Sequence, residues 1–217
     1  MSEAQLSLFT AKAPARAAAG ARDPLGARDP LAPGLRAGAD LLPTGPLRQH
    51  PRGAIVMTQV RYVRRFFPEL DGETLKVGLT RSAAGLAELE GKKLWLNPRR
   101  LALHTIAHEL VHLLQGRGLV PGGERSADLF ALARDVTLVD RLPHYLEVPT
   151  RLAGPRGDWL RPGVAAELHR LAGQALARRA AGHRQYMAWF ERAAAEIQPQ
   201  RARSAWRPQW MIDLLRP

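Results

Sequence analysis

His108-Glu109-Leu110-Val111-His112 packs two imidazoles and a carboxylate into five residues. An α-helix turns once per about 3.6 residues, so His108 and His112, four apart, project from one face. Two neutral imidazoles so placed can hold one Zn²⁺, and Glu109 beside them is positioned to act as general base on a water there. Catalytic zinc takes a third protein ligand and keeps one position open. His104 does not qualify. It precedes His112 by eight residues, roughly 12 Å along a helix axis, too far for three histidines to reach one metal. Glu124 is the better candidate. It opens the segment Glu124-Arg125-Ser126-Ala127-Asp128-Leu129-Phe130-Ala131-Leu132-Ala133, in which Glu124 and Asp128 are four apart and share a face. Glu124 then completes the ligand set, while Asp128 accepts the free ring N–H of a ligating histidine.

These residues need two helices to position them. Leu101, Ile106, Leu110, Leu113 and Leu114 supply an apolar stripe for the first, with Gly116 as its stop signal. The glycine-rich stretch 115–123 reverses the chain, and the Glu124 segment forms the second helix. Upstream, residues 54–67 read as a helix with Ile55, Val56, Val60, Val63 and Phe67 on its apolar face. Leu75-Lys76-Val77-Gly78-Leu79 alternates like a strand, and a second strand is expected within 84–90.

The two-helix pattern resembles the gluzincin metallopeptidases, and most nearly their small ImmA/IrrE-type and minigluzincin domains. The likeness covers residues 54–140. It implies zinc-dependent hydrolysis of peptide bonds on a minimal α+β zincin-like domain, with a small sheet whose edge strand lines the substrate cleft. Lys93-Leu94-Trp95-Leu96-Asn97, ended by Pro98, is the expected edge, able to pair with an extended protein substrate by strand addition. By the same likeness, Tyr145 or His144 in the loop after the second metal helix is a candidate to stabilise an oxyanion.

A second motif lies near the N-terminus. Gln5, Leu6, Ser7, Leu8 and Phe9 form the one aromatic-bearing apolar cluster in a stretch of Ala, Arg, Gly, Pro and Asp. The pentapeptide resembles the motif by which bacterial replication and repair proteins dock on the DNA sliding clamp. Leu6, Leu8 and Phe9 would fill an apolar pocket and Gln5 would fix orientation by hydrogen bonds. Residues 1–50, low in complexity and carrying the repeat Ala-Arg-Asp-Pro-Leu, read as a disordered tether.

Net charge is +12, of which residues 151–217 carry +7 and residues 51–150 carry +3. The basic C-terminal third, expected as a helical extension with two helices over 163–197 or one broken near Gly182, is a candidate DNA-binding element. Trp206, Trp210, Met211, Ile212, Leu214 and Leu215 form an apolar cluster at its end. Absence of cysteine excludes disulfides and thiolate ligands. No apolar run suggests a membrane span or signal peptide, so a cytoplasmic, nucleoid-associated location is expected.

The domain plan is thus a tail over 1–50, a metallopeptidase domain over 51–150 and a basic extension over 151–217. The combination of protease, clamp motif and basic extension is similar in layout to Spartan/SprT-type proteases, which act on proteins trapped on DNA, although those use a third histidine where this chain has Glu124. Two other readings remain open: a regulatory protease that cleaves a repressor, and a non-catalytic clamp or DNA adaptor with structural zinc. Glu109 argues against the last, because a structural site has no use for a base.

Overall fold

A computed structural model describes residues 41–198 except 91, 156–158 and 162. The motif at 5–9 and the apolar cluster at 206–215 lie outside the described residues. The fold mixes α and β. Its described elements run β1 (Leu41–Pro43), α1 (Gly45–Gln49), α2 (Gly53–Arg64), β2 (Leu75–Leu79), β3 (Gly85–Glu88), β4 (Lys93–Leu96), α3 (Leu103–Gly116), α4 (Glu124–Leu132), α5 (Val164–Ala180) and α6 (Tyr186–Ala195). No described helix is long and apolar enough to cross a membrane.

Val56, Val60 and Val63 recur at helical spacing and bury one face of α2. Ile55 falls outside that face and is 44% exposed, against expectation. The helix ends at Arg64 rather than 67, because Pro68 drives the residue before it out of the helical region. Gly53 is required where α1 and α2 meet, since a β-carbon there would stand 2.2 Å from the Leu47 carbonyl oxygen.

The sheet order is β1-β2-β4-β3, with the first three strands parallel and β3 antiparallel to β4. This corrects the expected edge. The Lys93 strand, β4, is enclosed between β2 and β3, and its Leu94 and Leu96 are fully buried. The free edge next to the histidine helix belongs to β3. Asn97 N–H donates to the Ala84 carbonyl at 2.9 Å. Antiparallel pairs alternate between bonded and non-bonded, so the register makes Leu86/Trp95 and Glu88/Lys93 the bonded pairs. The N–H and C=O groups of Gly85 and Ala87 therefore point away from β4, on the outer edge of the sheet.

Helix α3 is buried on almost every side and forms the centre of the core. Its first turn has no side-chain cap of its own. Asp140 supplies one from 37 residues downstream, its two oxygens accepting the N–H groups of Leu103 at 2.8 Å and His104 at 3.1 Å. The helix is closed by Gly118 (φ +71°), not by Gly116. Leu119 N–H bonds Leu114 O and Gly118 N–H bonds Gln115 O, the two bonds of a Schellman ending. Gly182 (φ +89°) ends α5 in the same way, giving two C-terminal helices with the expected break.

Residues 41–50 belong to the fold: β1 pairs with β2, and Leu47 is fully buried. Helices α5 and α6 place Leu168, Ala172, Leu176 and Phe190 in the same hydrophobic cluster as Leu110 of α3 and Phe130 of α4, so these two helices pack into the core rather than standing apart from it.

Candidate metal centre

His108 and His112 come from one face of α3, and Glu124 from the first residue of α4, which the 117–123 reversal folds back against α3. The Nε2 atoms of the two histidines are 3.1 Å apart, and Glu124 Oε2 is 3.0 Å from His108 Nε2 and 3.2 Å from His112 Nε2. These three residues could hold a metal ion, each offering one ligand atom.

The donor chemistry fits a cation. His108 Nδ1 faces Asp128 Oδ1 at 2.8 Å, and a carboxylate there can only accept. His112 Nδ1 faces Gln115 Oε1 at 2.7 Å. The Gln115 amide is fixed in that sense, because its Nε2 donates to the Pro121 carbonyl at 2.7 Å and to that of Gly123 at 3.0 Å. Both rings are therefore set to carry a proton on Nδ1, and in their neutral form turn the Nε2 lone pair inward. Two imidazole lone pairs and a carboxylate oxygen then face one another, an arrangement that a shared cation resolves. A tetrahedral ion with bonds of about 2.0–2.1 Å has ligand–ligand edges of about 3.3 Å, close to the three separations.

Asp128 takes the expected outer role and more. Its Oδ1 also accepts from His104 Nε2 at 3.2 Å, and its Oδ2 accepts the Tyr145 backbone N–H at 2.6 Å. His104 thus lies beside the His108–His112–Glu124 group and outside it. Burial works against the Asp128 charge, but the hydrogen bonds from His104 and His108 outweigh it and hold the carboxyl well below the usual aspartate range. Burial likewise works against a charge on His108. The hydrogen bond and charge of Asp128, with Glu109 and Glu124, prevail and raise its pKa.

Glu109 is buried beneath the free edge of β3, where its carboxylate accepts the Ala87 N–H. Burial pushes this carboxyl up; His108, His112 and the Ala87 N–H pull it down, while Glu124 adds to the rise, and the net shift is upward. A buried, raised carboxyl beside two imidazoles is suited to exchanging protons.

The Tyr145 ring stacks on that of His108, with centroids 5.5 Å apart at 21°. Its phenol is raised by burial and by the negative charges of Glu124, Asp128 and Glu109, so it stays a hydrogen-bond donor. His144, exposed, lies edge-on to Tyr145 at 5.1 Å. The geometry thus gathers Glu109, His108, His112, Glu124, Asp128 and Tyr145 in one place. Sequence reasoning missed Gln115, whose signal was available: three residues past His112, on the same helical face. It also missed Gly85 and Ala87, whose place at the edge follows only from strand pairing.

Comparison of the chain with protein-family profiles, with curated proteins and with solved structures returns no match.

Proposed function

We propose that this chain is a zinc-dependent endopeptidase of gluzincin type, with His108, His112 and Glu124 as zinc ligands and Glu109 as general base and acid. One observation carries the reading: the buried Glu109 carboxylate sits between a cluster of three possible metal ligands and the outer edge of β3, where it accepts the Ala87 N–H. A purely structural metal site has need of neither the base nor the edge.

Bound zinc supplies Lewis acidity toward the scissile carbonyl and lowers the pKa of water. The substrate enters as an extended strand against β3, bonding the outward groups of Gly85 and the C=O of Ala87, whose N–H is held by Glu109. Glu109 takes the proton of the attacking water and passes it to the departing amine. Tyr145, kept protonated, donates toward the developing oxyanion. Asp128 and Gln115 hold the two imidazoles in their ligating tautomer. Recruitment belongs to the same proposal: Gln5, Leu6, Leu8 and Phe9 dock on a sliding clamp, the basic residues after 151 favour DNA, and the substrates are proteins bound to or trapped on DNA.

Metal content and proteolysis of the purified chain test this together. One zinc per chain is expected, lost in His112→Ala. Glu109→Gln should keep its zinc while cleavage of unfolded protein falls by about 1,000-fold or more. A Glu109→Gln protein that cleaves at the wild-type rate overturns the mechanism.

A further inference from the structure

The acidic ligand sits on the least supported turn of its element. Glu124 is the first residue of α4, its side chain is 49% exposed, and the helix begins on Gly123 (φ +97°) without a side-chain cap. Such a terminus frays unless something outside the helix ties it down. On one side Gln115 does so, through the Pro121 and Gly123 carbonyls. On the other side the tie comes from α6. Both carboxylate oxygens of Glu191 lie 2.6 Å from Arg125 Nη2, and Glu191 Oε1 also accepts the Glu147 N–H at 3.1 Å. The Glu191 side chain is only 10% exposed, so this contact is poorly screened by water.

Arg125 directly follows the ligand Glu124. Glu147 lies two residues past Tyr145, whose ring covers the ligand His108. A single carboxylate on the C-terminal helix therefore joins the two segments that flank the centre. We infer that Glu191 is a positioning residue of the metal centre, holding the Glu124 turn and the Tyr145 loop in register through Arg125 and the Glu147 N–H. Helix α6 is then part of the metal site, and its removal disables the centre without touching a ligand. This rests on the metal reading above.

The test uses the full chain, with zinc affinity read by chelator competition and ligand geometry read from the absorption of bound Co²⁺. Glu191→Gln should weaken zinc binding about tenfold or more and change the cobalt spectrum. The exchange Arg125→Glu with Glu191→Arg restores the ion pair but offers no acceptor to the Glu147 N–H, so it should recover part of both and no more. Arg125→Gln, a change at a half-exposed side chain, gives the same readout should Glu191→Gln fail to fold. Glu69→Gln is the control. It breaks the more deeply buried Arg134–Glu69 pair, outside the metal centre, and should lower Tm with no change in zinc affinity. Wild-type affinity and spectrum in Glu191→Gln, or a loss no greater than in Glu69→Gln, overturns the inference alone. A wild-type chain that takes up no metal overturns it together with the metal centre.

Discussion

The Glu109 carboxylate lies against the Cα of Gly85: a β-carbon at position 85 would stand 2.6 Å from Glu109 Cγ and 2.7 Å from Oε1. Gly85 is thus the space into which the Glu109 carboxylate fits. Its φ is not positive, so its role is close approach and not backbone freedom. Gly85→Ala should displace Glu109 while leaving the three ligands in place. The expected result is unchanged zinc content with kcat lowered about 10–100-fold, as misplacement of a catalytic group produces. Full activity in the variant would show that Glu109 works from another position.

Gln115 orients His112 and ties the reversal that carries Glu124. Gln115→Ala removes the acceptor for His112 Nδ1 and both bonds to the loop. Zinc affinity should fall about 10–100-fold by chelator competition, with the helical circular dichroism retained. Unchanged affinity would leave the tautomer argument for His112 without support.

Asp128 links stability to pH. Its carboxyl is held below the ordinary aspartate value of 3.8, so the stability it contributes is fully present above that value and is lost as pH falls below it. Asp128→Asn should cost about 2 kcal/mol near neutral pH, where the buried carboxylate partners two imidazoles. It should also flatten the acid limb. Denaturant unfolding of the metal-free protein from neutral pH down to 3 reads both effects. Parallel acid profiles for variant and wild type would contradict the assignment.

The recruitment motif is testable apart from catalysis. A peptide of residues 1–15 should bind a purified bacterial sliding clamp by calorimetry, with modest affinity concentrated in Leu6, Leu8 and Phe9. Replacing Leu8 and Phe9 with Ala should abolish binding, and in the full chain should not alter cleavage of a small peptide. No binding at the highest soluble peptide concentration removes the link to replication.

Much of the centre was legible locally. The four-residue spacings of His108 with His112 and of Glu124 with Asp128 work because helix periodicity is a property of the backbone itself, unchanged by distant packing. The apolar stripe of α3 and the break at Gly182 were readable for the same reason. Boundaries were less so: Gly116 looked like the stop, yet Gly118 adopts the left-handed conformation, and the choice is made by which residue lets Leu119 return to Leu114.

What the sequence by itself determined was the pairing of His108 with His112 and of Glu124 with Asp128 on the two helices that present them, because each pair is written in a spacing shorter than two helical turns. Which strand forms the sheet edge beside α3 was decided by the tertiary structure. Lys93 to Leu96 alternates as an edge strand would, but pairing with both β2 and β3 encloses it and leaves Gly85 and Ala87 outermost. The same holds for the Asp140 cap on α3 and the Glu191 tie on α4. Each joins residues 36 or more apart, and a strand's neighbours or a helix's distant partner depend on how the whole chain packs, information that no local pattern carries.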